Sequence, residues 1–315
     1  MRAKSSSFLL INYLLLFGAG LIWGSQYILN KSALESFSTS VIAAGRIGIG
    51  VFILTLLMRA EKPHYNQPKH SFWKALPDFI LIGFLEATLP CIFVAWAQKR
   101  LASSIVAILI GTVPLFTILL EVFFIKGSRI SRQKIIGIIL GFAGVVVLML
   151  PELLASRASM TPYTASIFLP MLAVLASALF FAVAMLLIQV RLGSSFGPIR
   201  SAQGILTGAA ITTIPLMLIL TYPWHITSFQ VTTSSLIALI ALGIFCSGFA
   251  YTLFVMLIKR AGPSFASTCN YLVPPIGAFL GIAFSGEKIT NHLLLSLGLI
   301  LFSLWLAQGE KASHE

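Results

Sequence analysis

Charge is what this sequence has least of. Of its 315 residues only 10% are Asp, Glu, Lys or Arg; nine are acidic, and Asp78 is the single aspartate. A soluble globular chain carries about 25% charged residues, so this composition excludes a water-facing surface over a fold of this size. Disorder is excluded too, because it needs low hydrophobicity and high charge. Cysteine is scarce: Cys91, Cys246 and Cys269 all lie inside apolar runs with no C-x-x-C spacing. That argues against a disulfide framework or a thiolate metal site and reads as small buried apolar side chains. The five histidines, His64, His70, His225, His292 and His314, fall in loops, tails or at a helix end, and no H-E-x-x-H is present. A membrane-embedded enzyme needs metal or acid–base clusters within its spans, so no enzyme, metal or cofactor is expected. Direct ATP drive is not expected either, since there is no Walker A motif.

What is present is apolar length. The chain is 58% hydrophobic, with a mean hydropathy of +0.97. A bilayer-spanning helix needs about 20 mostly apolar residues. Ten candidate spans follow, roughly 8–29, 39–58, 78–98, 101–124, 135–151, 166–190, 201–221, 235–258, 264–285 and 291–307. The first run is too long for a signal-peptide core and lacks a cleavage site, so it reads as a helix. The apolar stretch 201–258 is split by Tyr222-Pro223-Trp224-His225 and the Thr/Ser run from Thr232 to Ser235, a turn and an interfacial anchor. The expected fold is an all-α integral membrane protein with ten transmembrane helices and no soluble domain.

The net charge of +12 falls mostly between the spans and fits anionic headgroups, with no nucleic-acid partner. With the N-terminus in the cytoplasm, fifteen Lys and Arg fall in inside segments and five in outside loops, Lys99 and Arg100 being the awkward pair outside. The positive-inside rule then puts both termini in the cytoplasm. The expected location is a bacterial-type inner membrane, and the expected partners are a small-molecule substrate and the lipid bilayer. Monomer and homodimer remain open.

The halves repeat. At a shift of 160, Gly83, Lys99, Arg100, Ser104, Val113, Pro114, Leu120 and Phe124 match Gly243, Lys259, Arg260, Ser264, Val273, Pro274, Leu280 and Phe284. Residues 1–152 and 153–315 thus form two five-helix units. An odd number of helices per unit inserts the second copy upside down, and such inverted repeats hold substrate near the membrane midplane between the halves.

These features resemble the drug/metabolite transporter superfamily, EamA type, over almost the whole chain. The marks are Trp23-Gly24-Ser25, Arg46, Val113-Pro114-Leu115-Phe116-Thr117, Gly243 to Tyr251, Lys259-Arg260-Ala261-Gly262-Pro263, Tyr271-Leu272-Val273-Pro274 and Gly286-Glu287-Lys288. The resemblance implies ten helices, alternating access and movement of small metabolites, often amino acids or related compounds and frequently outward. The sequence departs from the family pattern at Ser128, where relatives carry glutamate, and at Glu86, where they often carry a neutral polar residue.

Charge inside a bilayer is costly and marks function by default. Arg46 lies roughly 10 Å inside one end of span 2 and Glu86 roughly 12 Å inside the opposite end of span 3 at 1.5 Å per residue. The two can therefore meet. The functional reading is a substrate carboxylate on Arg46 beside a protonatable Glu86; the structural reading is a pair that joins the two helices. Glu121 is expected to snorkel to headgroups, and Glu287 reads as a turn residue. Helical spacing aligns Ser103, Ala107, Ile110, Pro114, Thr117 and Glu121 on span 4, with Pro263, Ser267, Asn270, Pro274, Gly277 and Gly281 as the matching line on span 9. The expected substrate-binding set is Arg46, Glu86, Trp23, Tyr27, Trp96, Asn270, Tyr251 and Tyr271, with Pro90, Pro114 and Pro274 as gating or hinge positions. The expected function is a secondary transporter exporting a small metabolite, with proton coupling open. A facilitative uniporter or importer and a lipid scramblase are the alternatives.

Overall fold

The computed structural model describes residues 2–60, 72–124, 131–158, 162–193, 196–220, 231–287 and 290–308. It is a bundle of ten helices, with no strand among the described residues. We label them α1 (Arg2–Ala33), α2 (Thr39–Ala60), α3 (Phe72–Ala97), α4 (Ser103–Ile110 continued by Val113–Phe124), α5 (Arg132–Ala158), α6 (Pro162–Leu187 extended by Ile188–Leu192), α7 (Pro198–Leu220), α8 (Thr233–Ala261), α9 (Pro263–Ser285) and α10 (Asn291–Gln308). Among the described residues nine are long and apolar enough to cross a membrane, and the tenth has a shorter apolar stretch, Asn291–Ser303. Large apolar side chains cover the outside, Phe52, Phe123, Phe279, Phe284 and Trp305 among them. Such a surface is stable only against lipid. The break expected at 222–235 coincides with the start of α8, where the Thr232 hydroxyl accepts the Ser235 N–H as a helix N-cap. Residues 221–230 and the Lys and Arg at 62–69 and 126–129 lie outside the described residues.

The packing has the symmetry of the repeat. Helix α2 packs on α7, α4 on α9 and α5 on α10, each against its own repeat mate. The other main pairs map onto one another when the halves are exchanged: α1 on α8 with α6 on α3, α1 on α9 with α6 on α4, and α2 on α8 with α7 on α3. Small residues make the close approaches. A Cβ on Gly208 would fall 2.2 Å from the Phe79 carbonyl oxygen, and one on Gly277 would fall 2.4 Å from the Ala107 Cβ. Without a hydrophobic drive between helices in lipid, such backbone proximity supplies the dispersion contacts that hold a bundle together.

Four helices depart from regular α geometry within their length. In α3, residues Phe84–Thr88 form a wide π-type turn followed by Pro90, and in α8 the stretch Leu242–Phe249 forms a wide turn followed by Ala250. In α9 a 3₁₀ turn, Thr268–Tyr271, precedes Val273 and Pro274. Helix α4 is interrupted at Gly111–Thr112, just before Val113 and Pro114. Each proline thus sits where its missing N–H leaves the ladder already broken.

Candidate substrate cavity

The irregular segments surround a narrow cavity at the centre of the bundle, about 30 Å³ in volume. Trp23 and Gln26 of α1, Arg46 of α2, and Glu86 and Cys91 of α3 form one part of its wall. Ile110 and Val113 of α4, Phe181 and Met185 of α6, Tyr251 and Phe254 of α8, and Asn270 of α9 form the rest. Both repeats contribute. The wall is apolar and aromatic with a few polar groups, the usual make-up of a small-molecule site.

Arg46 and Glu86 are almost fully enclosed, at 3% and 1% exposure. Insertion measurements put the cost of either type of group at a helix centre at about 3 kcal/mol, so each needs compensation. Arg46 finds neutral partners: Nε donates to Ser247 Oγ at 3.2 Å and an Nη donates to Gln26 Oε1 at 3.1 Å. The ion pair with Glu86 that depth arithmetic suggested is not formed. Among the described residues only Lys31–Glu287 and Asp78–Arg191 lie within ion-pair distance, and Glu86 Oε2 has no hydrogen-bond partner. Depth places two side chains at one level of the bilayer, but the rotation of each helix decides whether they touch. The result is a cation and a carboxyl facing one cavity without neutralising each other.

The other expected positions divide. Trp23, Tyr251 and Asn270 line the cavity. Trp23 stands edge-on to Tyr251 and Phe254, with ring centroids 5.8 and 4.6 Å away. Tyr27, Trp96 and Tyr271 lie outside that lining. Tyr27 is buried beside Gly277, while the Trp96 ring sits under Arg100 at 5.8 Å. The prolines Pro90, Pro114 and Pro274 stand at the helix breaks and are not among the cavity-lining residues. Residues that sequence reasoning passed over include Gln26, which holds the arginine, and Phe181 and Met185 on α6. Cys91 is a cavity wall rather than only a packing residue. Gln26 lies one turn beyond Trp23 on α1, a spacing that pointed to it.

Two acids read as bland have specific partners. The Glu121 carboxylate accepts the Ser264 hydroxyl at 2.7 Å instead of only reaching for headgroups. Glu287 follows Gly286, whose left-handed backbone (φ +63) ends α9 in the way glycine allows. The reversal carries the Glu287 carboxylate to the start of α4, where it accepts the Ser103 N–H at 2.7 Å and the Ser104 N–H at 3.0 Å, and to Lys31 at 3.3 Å. Burial acts to raise this carboxyl, but the bonds from Ser104 and Ser103 and the Lys31 charge outweigh it and hold it below the ordinary value.

Long apolar helices in two exchange-related sets, closed around a charged cavity, define a multi-pass membrane transporter. The chain belongs to the EamA-like transporter family, whose model matches it twice, at residues 10–150 and 168–308. Among its relatives are the inner membrane transporter YedA of Escherichia coli strain K12, 25% identical over 92% of this chain and 88% of that protein. A transporter of Archaeoglobus fulgidus is 23% identical over 90% and 94% of the two chains. A Chlamydia trachomatis protein named as an S-adenosylmethionine/S-adenosylhomocysteine transporter is 23% identical over 94% and 89%. A crystal structure at 20% identity shares the fold, with a TM-score of 0.60 and 96% of each chain covered.

Proposed function

We propose that this protein is a secondary transporter of the inner membrane that exports a small zwitterionic metabolite, an amino acid or a compound carrying an amino-acid end, by alternating access. The carrying observation is that Arg46 and Glu86 line one cavity from two helices without pairing. A zwitterion supplies each with its missing partner: a carboxylate for the planar guanidinium fork and an ammonium for the carboxyl. The aromatic wall from Trp23, Tyr251, Phe254 and Phe181 accommodates an apolar or cationic side group. The compounds named for the Chlamydia relative carry an α-amino-acid end, which agrees in class.

The cavity is narrow, so substrate enters only when the repeats part on one side, as alternating access requires. A Glu86 that holds a proton in one state and the substrate ammonium in the other exchanges protons for substrate and drives export with an inward proton gradient.

The test is counterflow in proteoliposomes with a panel of neutral amino acids, their amides and their deaminated acids. The expected result is exchange of the zwitterions only. Equal exchange of the amides or deaminated acids refutes the zwitterion reading. Glu86→Gln is expected to raise the apparent KM for zwitterion exchange without a gradient and to lose acceleration by an imposed pH gradient; an unchanged gradient response removes the coupling role.

A further inference from the structure

The wide turns in α3 and α8 are related by the repeat. Glu86 and Cys246 occupy the same place in the two halves, 160 residues apart. At both positions the backbone carbonyl has lost its α-helical partner, by different means. Four residues after Glu86 stands Pro90, which has no N–H to give. Four residues after Cys246 stands Ala250, whose N–H goes to Phe245 O instead. A buried carbonyl without a donor is costly. Each is answered by an aromatic side chain of the opposite repeat. Tyr251 Oη of the second repeat donates to Glu86 O at 2.8 Å, and Trp23 Nε1 of the first donates to Cys246 O at 3.0 Å. Both rings line the cavity and stand edge-on to each other.

We infer that Tyr251 and Trp23 are positioning residues, each clamping the wide turn that presents a polar group to the cavity: Tyr251 sets the Glu86 carboxyl, and Trp23 sets the turn that carries Ser247, the partner of Arg46. The inference deepens the transport reading of this cavity and rests on it for its functional half. The polar ends of both rings are spent on backbone, so the rings meet substrate only with their faces. Their bonds also cross between the repeats, so the turn that carries each polar group in one half depends on a side chain in the other.

The test uses the full-length protein with Tyr251→Phe, which removes one hydroxyl, and Trp23→Phe, which keeps a ring but removes the donor. Hydrogen exchange in detergent, followed over hours to days, reads the turns without any substrate. Tyr251→Phe is expected to speed exchange at Leu89 and its α3 neighbours about fivefold and to leave the α8 turn unchanged, and Trp23→Phe to do the reverse. Exchange altered in both turns alike, or in neither, overturns the clamp assignment. In proteoliposomes Tyr251→Phe is expected to raise the apparent KM for a transported amino acid about tenfold, and to add nothing further in a Glu86→Gln background. Additive effects place Tyr251 outside the control of Glu86 and overturn the positioning role. If the parent protein moves no amino acid while the exchange pattern holds, the substrate reading fails and the clamps stand.

Discussion

Glu287 and Ser103 meet at the end of the bundle that carries Lys31: the carboxylate at the end of α9 accepts the first N–H of α4 at 2.7 Å. An anion at a helix start meets both the unpaired N–H groups and the positive end of the helix dipole. Because α4 and α9 are repeat mates, the contact closes the bundle across its pseudo-twofold axis. The aligned position in the first repeat is Ser128, which has no carboxylate.

The clasp makes stability pH-dependent. A carboxyl held below its ordinary value in the folded protein stabilises it fully above about pH 4.3, and that contribution is lost as pH falls through the lower folded value. Glu287→Gln is expected to cost about 1–2 kcal/mol at neutral pH and to flatten the loss of thermal stability seen on acidification. Lys31→Met is expected to cost less, since Lys31 is 39% exposed and half-exposed pairs contribute little. Melting curves of the detergent-solubilised variants from pH 3 to 8, a range of roughly one unit beyond the carboxylate value on the acid side, check both.

Arg46→Lys is expected to lower transport sharply with normal expression and folding. Lysine keeps the charge, but it loses the fork that reaches Ser247, Gln26 and a substrate carboxylate at once. Initial rates of amino-acid counterflow, corrected for the amount reconstituted, provide the measurement. Parent-like rates in stable Arg46→Lys and Arg46→Gln variants remove Arg46 from the substrate site.

Packing of α3 on α7 allows a contrast between glycines. A Cβ at Gly83 or Gly208 would press on backbone, 2.3 Å from Ile205 O and 2.2 Å from Phe79 O. Gly83→Ala and Gly208→Ala are expected to destabilise by about 1–3 kcal/mol. At Gly48 and Gly298 a Cβ would meet nothing within 4 Å, and alanine there is expected to change stability by under about 0.5 kcal/mol. Fluorescence-detected size exclusion after graded heating ranks the four.

Orientation has its own test. In a variant freed of its three cysteines, single cysteines at Glu35 and Thr232 are expected to react with an impermeant thiol reagent added to intact cells, and one at Lys74 only after permeabilisation. Labelling of Lys74→Cys in intact cells reverses the assigned topology.

Span lengths and the fixed shift between Lys99-Arg100 and Lys259-Arg260 were legible in the sequence, because a bilayer demands about 20 apolar residues per crossing and tandem copies keep their spacing. The enclosure of Arg46 and Glu86 followed from the same cost arithmetic. Periodicity could not decide what those charges touch. Whether Arg46 meets Glu86 or instead Gln26 and Ser247 depends on the rotation and bulging of four helices, and a one-residue wide turn swings a side chain by about 100°. Tyr27 and Trp96 lie off the cavity, Tyr27 buried beside Gly277 and the Trp96 ring under Arg100. The Glu287 cap and the Tyr251 and Trp23 bonds to opposite repeats join positions 165 to 223 residues apart. Local pattern sets which segments cross the membrane; only packing of the two halves against each other sets which atoms meet inside it.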